Sequence, residues 1–147
     1  MITNSPEETK ALAKQFMQGF EGGNLAGALS GQATIVELVG DLGAGKTTFM
    51  QGIGEYLGIT TPLSSPTFVI GKHYDLPAGL AWKRLIHIDA YRLEGAKELG
   101  TIGWDRYAMD PGNIIFIEWP AKLETDLKNA KRITFEHINE NQRDIKI

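Results

Sequence analysis

The segment "ATIVELV" followed by "GDLGAGKTT" sets the tightest limit on how this chain can fold. An apolar run rich in β-branched residues reads as a strand suited to a buried parallel sheet. It runs directly into Gly40-Asp41-Leu42-Gly43-Ala44-Gly45-Lys46-Thr47, which satisfies the phosphate-loop spacing GxxxxGK[ST]. Helical spacing at Phe49, Ile53 and Leu57 follows, weakened by the internal glycines Gly52 and Gly54 and closed by Gly58. A strand, a glycine turn and a helix in direct succession point to an α/β sheet with the turn at its carboxyl edge.

Each part of the turn has a physical task. Glycines let the backbone curl so that its amides point inward, and the following helix adds its N-terminal dipole. Lys46 supplies a point charge for the β- and γ-phosphates of a nucleotide, and the Thr47 hydroxyl is suited to Mg²⁺ held on those phosphates. The chain contains neither an NKxD base-reading motif nor a DxxG switch motif, which favours ATP over GTP. The tetrapeptide Leu29-Ser30-Gly31-Gln32 resembles a transporter signature only superficially, since it is one glycine short of it and precedes the phosphate loop; it reads as a loop.

The remaining elements complete the α/β pattern. Ser5-Pro6-Glu7-Glu8 has the form of a capping box with proline at the first helical position, so a helix is expected from there to about Gly22-Gly23. Its apolar stripe is Leu12, Phe16 and Phe20, with Ala13 and Met17 beside them. "SSPTFVIGKHYDL" reads as a loop entering a strand, "KRLIHID" and "NIIFIEW" as short buried strands, and "EGAKELGTIGWDRYAM" as short helical segments. The tail "KRITFEHINENQRDIKI" reads as two strands around an Asn-rich turn. The expected fold is a single domain over 1–147, a P-loop NTPase-like three-layer α/β arrangement with a mostly parallel central sheet and antiparallel strands added at the C-terminal end.

Composition excludes several classes. Without cysteine there are no disulfides, thiolate metal sites or thiol nucleophiles, and His73, His87 and His137 match no zinc spacing and read as unrelated. A net charge of −3 argues against a broad nucleic-acid surface, so any RNA involvement should be indirect. No membrane-length apolar run is present and the N-terminus lacks a signal profile, which points to the cytoplasm and no membrane partner.

Two strand-ending acids, Asp89 and Glu118, should face the phosphate loop, because ligands of open α/β sheets sit beyond the carboxyl ends of parallel strands. Either carboxylate could hold Mg²⁺ or position and deprotonate an attacking water. Trp119 could shield that site or simply pack. Arg92 could reach phosphate or pair with a local acid, and Ser65-Pro66-Thr67 could form a switch loop or merely start a turn.

Together "GDLGAGKTT", "SPTF", "HIDAYRLE", "ELGTIGWDRY" and "IIFIEWP" occur in the order seen in the TsaE (YjeE) family, the bacterial tRNA threonylcarbamoyladenosine biosynthesis ATPases, which this chain resembles over most of its length. The opening Ser5-x-Glu7-Glu8-Thr9 resembles that family's start. The resemblance implies a small Mg-dependent ATPase, weak alone and stimulated by the partner proteins TsaB and TsaD. These partners modify the adenosine beside the tRNA anticodon, and this protein does not transfer the group itself. Carried over, Leu42, Gly43, Ala44, Gly45, Lys46 and Thr47 wrap the phosphates, and Asp41 and Thr48 belong to the same cofactor-binding set. Thr47 and Glu118 bind Mg²⁺, and Lys46, Asp89 and Glu118 are catalytic. Pro6, Thr9 and Arg143 lie near the nucleoside. Ile88 and Ala90 depart from the family's "H-F-D-L-Y-R", and Phe68 stands where tyrosine is more usual. The rival readings are a small-molecule kinase and a non-catalytic ATP-dependent assembly switch.

Overall fold

The computed structural model describes residues 1–21, 31–66, 71–125, 127 and 129–147. Leu29, Ser30, Thr67 and Phe68 fall outside them, and with them most of the expected Gly-rich loop and part of the Ser-Pro-Thr segment. In chain order the elements are β1 (Ile2–Thr3), α1 (Pro6–Glu21), β2 (Thr34–Gly40), α2 (Lys46–Tyr56), β3 (Gly71–Asp75) and β4 (Arg84–Asp89). They continue with α3 (Ala96–Leu99), α4 (Trp104–Ala108), β5 (Asn113–Glu118), β6 (Lys131–His137) and β7 (Arg143–Lys146).

The strands form one sheet in the order β1-β7-β6-β2-β5-β4-β3. Its centre, β6-β2-β5-β4, is parallel throughout. Antiparallel strands are added by the C-terminal hairpin β6-β7, as expected, and also by β3 on the opposite edge and by β1 alongside β7.

Both faces of the centre are covered, and β5 is buried at every position. Alternation along it sends Ile114 and Phe116 into a cluster with Val36 and Leu38, against Leu12, Phe16, Met17 and Phe20 of α1 and Phe49 and Ile53 of α2. Ile115 and Ile117 point the other way, into a cluster with Ile86, Ile88, Ala90, Leu93, Leu99 and Leu123. The result is three layers. Ile88 and Ala90 belong to this second cluster, so these departures from the family pattern are packing changes on the second face.

The start of α1 follows the capping expectation with one change. Ser5 Oγ accepts the Glu8 N–H at 3.1 Å, but the Glu8 carboxylate reaches Asn4, one residue before the cap, accepting from its backbone N–H at 2.7 Å and its side-chain amide at 3.0 Å. Proline at position 6 supplies the first helical residue, whose missing N–H would have had no partner within the helix in any case. Gly52 is required by packing: a Cβ there would stand 2.7 Å from the Lys10 carbonyl oxygen and 2.8 Å from the Ala13 Cβ. The glycine that weakens α2 in isolation is what lets it lie close against α1.

Candidate functional site

Parallel register brings the site together. Leu38, Glu118 and Asp89 are paired at one level across β2, β5 and β4, so both acids end their strands where the chain leaves β2 for the glycine turn. Gly40 makes that exit possible, because a Cβ there would lie 2.6 Å from the Phe135 carbonyl oxygen of β6. Gly43 and Gly45 have φ of 77° and 103°, values that side-chain-bearing residues rarely adopt. Gly45 is the N-cap of α2 and has no side chain to bond the first-turn amides. The positive end of the helix thereby stays available to an anion.

A cavity of about 510 Å³ lies over this turn, lined in part by Gly45, Lys46, Thr47, Asp89, Glu118 and Trp119. Lys46 is buried; its Nζ donates to the carbonyls of Gly40 at 2.7 Å and Asp41 at 2.9 Å and stands 3.9 Å from Glu118 Oε2. Burial pushes the ammonium below the usual lysine range, a shift opposed by Glu118, Asp89 and Asp41. The Trp119 ring packs on Tyr91 with centroids 5.1 Å apart and lies 5.0 Å from Lys46 Nζ. A left-handed backbone, φ 57° and ψ 48°, aims that ring. Asp89 Oδ1 accepts the Tyr91 N–H at 3.0 Å, which holds the turn leaving β4. Ser65 and Arg92 line the same cavity. Leu42 also lines it but is 93% exposed, whereas Ala44 is buried beneath the turn.

A second cavity, about 160 Å³, adjoins the other side of the loop and shares Gly43, Gly45 and Thr48 with the first. Pro6, Thr9 and Arg143 line it, so the three residues expected near a nucleoside do converge. Thr9 shares a 2.9 Å hydrogen bond with the Thr3 hydroxyl, and Arg143 donates through one guanidinium nitrogen to the carbonyls of Asn139 and Gln142 at 2.7 and 2.9 Å. Both side chains therefore also brace the wall they form.

His87, one of the three histidines whose spacing reads as unrelated, has a site carboxylate as its partner. This residue is completely buried on β4, and its Nε2 lies 2.9 Å from Glu118 Oε1. A lone histidine in an apolar strand, two positions before the strand-end acid and on the same face, was the available signal. His73 on β3 and His137 at the end of β6 stay apart from this pair. Among the described residues no group of three or more His, Cys, Asp or Glu could hold a metal by itself. Thr47 and Glu118, which line the same cavity, offer oxygen donors of the kind Mg²⁺ takes together with substrate phosphates. No helix among the described residues is long and apolar enough to cross a membrane.

Residues 3–145 match the model of the family described as "Threonylcarbamoyl adenosine biosynthesis protein TsaE". The tRNA threonylcarbamoyladenosine biosynthesis protein TsaE of Bacillus subtilis (strain 168) is 37% identical over 147 residues, covering 97% of this chain and 80% of that protein. Its namesake in Rickettsia prowazekii (strain Madrid E) is 35% identical, with 91% of each chain covered. The crystal structure of Bacillus subtilis YdiB superposes with a TM-score of 0.64 at 32% identity, covering 99% of this chain and 80% of that one.

Proposed function

Because the chain belongs to the TsaE family, we propose that it is a Mg-dependent ATPase required for threonylcarbamoylation of the tRNA adenosine beside the anticodon. In this reading it works in the cytoplasm with TsaB and TsaD, touches tRNA only through them, and acts as one domain over 1–147. The observation that carries it is the convergence of Lys46, Thr47, Asp89 and Glu118, from three separate elements, on one cavity at the end of α2.

ATP is the substrate. Its phosphates lie against the loop from Asp41 to Thr48, where backbone amides and the α2 dipole favour negative charge. The nucleoside extends toward Pro6, Thr9 and Arg143. Lys46 leaves its carbonyl contacts to meet charge growing on the transferring phosphoryl oxygens. Thr47 and Glu118 would hold Mg²⁺, which when bound would supply further neutralisation of phosphate charge. Asp89 orients the attacking water, and Trp119 with Tyr91 covers the lysine side of the site.

Reconstituting tRNA modification with purified TsaB and TsaD tests this. Wild-type protein is expected to support repeated cycles, whereas Lys46→Ala and Glu118→Ala are not, and ATP hydrolysis should rise when both partners are added. Modification that proceeds equally well without this protein, or with either variant, overturns the proposal. Phosphate transfer to a nucleoside or sugar would favour a kinase. Tight ATP-dependent partner binding that alone sustains modification in Glu118→Ala would favour a switch.

A further inference from the structure

We infer that His87 is a positioning residue that orients the Glu118 carboxylate, an inference that rests on the ATPase reading above. His87 and Glu118 project to the same face of the adjacent parallel strands β4 and β5, two residues out of register: His87 is paired with Phe116, and Glu118 with Asp89. Both side chains are buried, and Nε2 meets Oε1 at 2.9 Å. With the Glu118 carboxylate as acceptor, the ring proton sits on Nε2 and the hydrogen bond runs from His87 to Glu118. The two oxygens of Glu118 are thereby made different. Oε1 is committed to the histidine, while Oε2 is directed toward Lys46, 3.9 Å away, and the phosphate cavity.

The other ring nitrogen identifies what the histidine is for. Nδ1 is buried and meets no partner among the described residues. A residue retained only to stabilise this strand would be better replaced by an apolar side chain, since an unpaired buried polar atom opposes folding. The hydrogen bond that His87 makes among the described residues is to a site carboxylate. Partners of this kind fix the direction of a ligating group, and losing one commonly lowers metal affinity or activity about 10- to 100-fold.

Two variants and one spectrum test the inference. His87→Met removes the donor and the unpaired Nδ1 together; His87→Gln places an amide N–H close to where Nε2 stands. His87→Met should lower kcat for ATP about 10- to 100-fold while leaving the affinity for a fluorescent ADP analogue in EDTA and the melting temperature near wild type. His87→Gln should restore most of kcat. Long-range ¹H–¹⁵N spectra of the wild-type protein should show His87 with Nε2 protonated and Nδ1 bare, a readout that needs neither turnover nor a folded variant. The inference is overturned by full activity in His87→Met, by His87→Gln being no better than His87→Met, or by an Nδ1-protonated ring. A wild-type protein that never hydrolyses ATP would defeat the ATPase reading instead, and the tautomer would then decide the orientation of Glu118 alone.

Discussion

Lys46 is buried at a cost to folding, in the place where the proposed function sets it against phosphate. Burial drives its pKa down from 10.5, so the charged side chain opposes the folded state wherever it is protonated. Lys46→Met should therefore raise the melting temperature at neutral pH. The gain should shrink as pH climbs toward 10.5, where the wild-type lysine loses its proton in both states. The same substitution should cost about 3 kcal/mol at the barrier to ATP hydrolysis, a fall in turnover of about 100-fold or more. Calorimetry across pH and steady-state kinetics would check the two halves separately; a variant both less stable and fully active would contradict both. This trade-off was half legible in the sequence. The phosphate-loop pattern names the lysine directly, but the carbonyls of Gly40 and Asp41 that hold it, and the histidine behind Glu118, depend on how the chain folds around them.

At the scale of elements, α1 and α2 behave as one unit. Their close approach at Gly52 is matched on the surface by Lys10 and Lys14, which reach Glu55 at 2.9 and 2.7 Å. Those hydrogen bonds pull the Glu55 carboxyl from 4.5 to about 2. A depressed carboxylate pKa gives a contribution that is complete above the unfolded value and is lost as pH falls through the folded one. The clamp should hold above pH 4.5 and release toward pH 2, with an NMR titration midpoint for Glu55 well below that of an ordinary glutamate. Glycine substitutions separate packing from propensity on the same pair of helices. Gly19→Ala in α1, with nothing within 4 Å of the new Cβ, should stabilise by about 0.5 kcal/mol. Gly52→Ala should destabilise by about 1–3 kcal/mol despite the better helix former, because backbone must move. Urea unfolding of both would decide it. Local signals made these helices readable, namely the cap at Ser5 and the apolar stripe of α1. The two-residue β1 carries too little periodicity to be seen, and its strand character comes entirely from pairing with β7.

Across the whole molecule, one aromatic side chain ties the layers to the site. Phe49 lies 5.9 Å from the Phe16 ring of α1 and 5.4 Å from the Phe135 ring of β6, three residues after Lys46 on α2. Phe49→Ala should cost about 3–5 kcal/mol of stability, a large share of the roughly 5–15 kcal/mol typical of a domain. Nucleotide affinity should fall with it, because the start of α2 loses its anchor; thermal unfolding with and without nucleotide would show both. The three-layer plan could be read from alternating strand and helix patterns, yet the strand order could not, since β2 pairs with β5 across an intervening stretch that contains β3 and β4. That parallel pairing has a temporal consequence. Glu118 and Asp89 reach the phosphate loop only after distant strands have closed on one another, a slow kind of contact, whereas α1 and α2 can form from local ones. During refolding, helical signal should return before nucleotide capture, so newly made chains would pass through a stage that is already partly built yet blind to ATP.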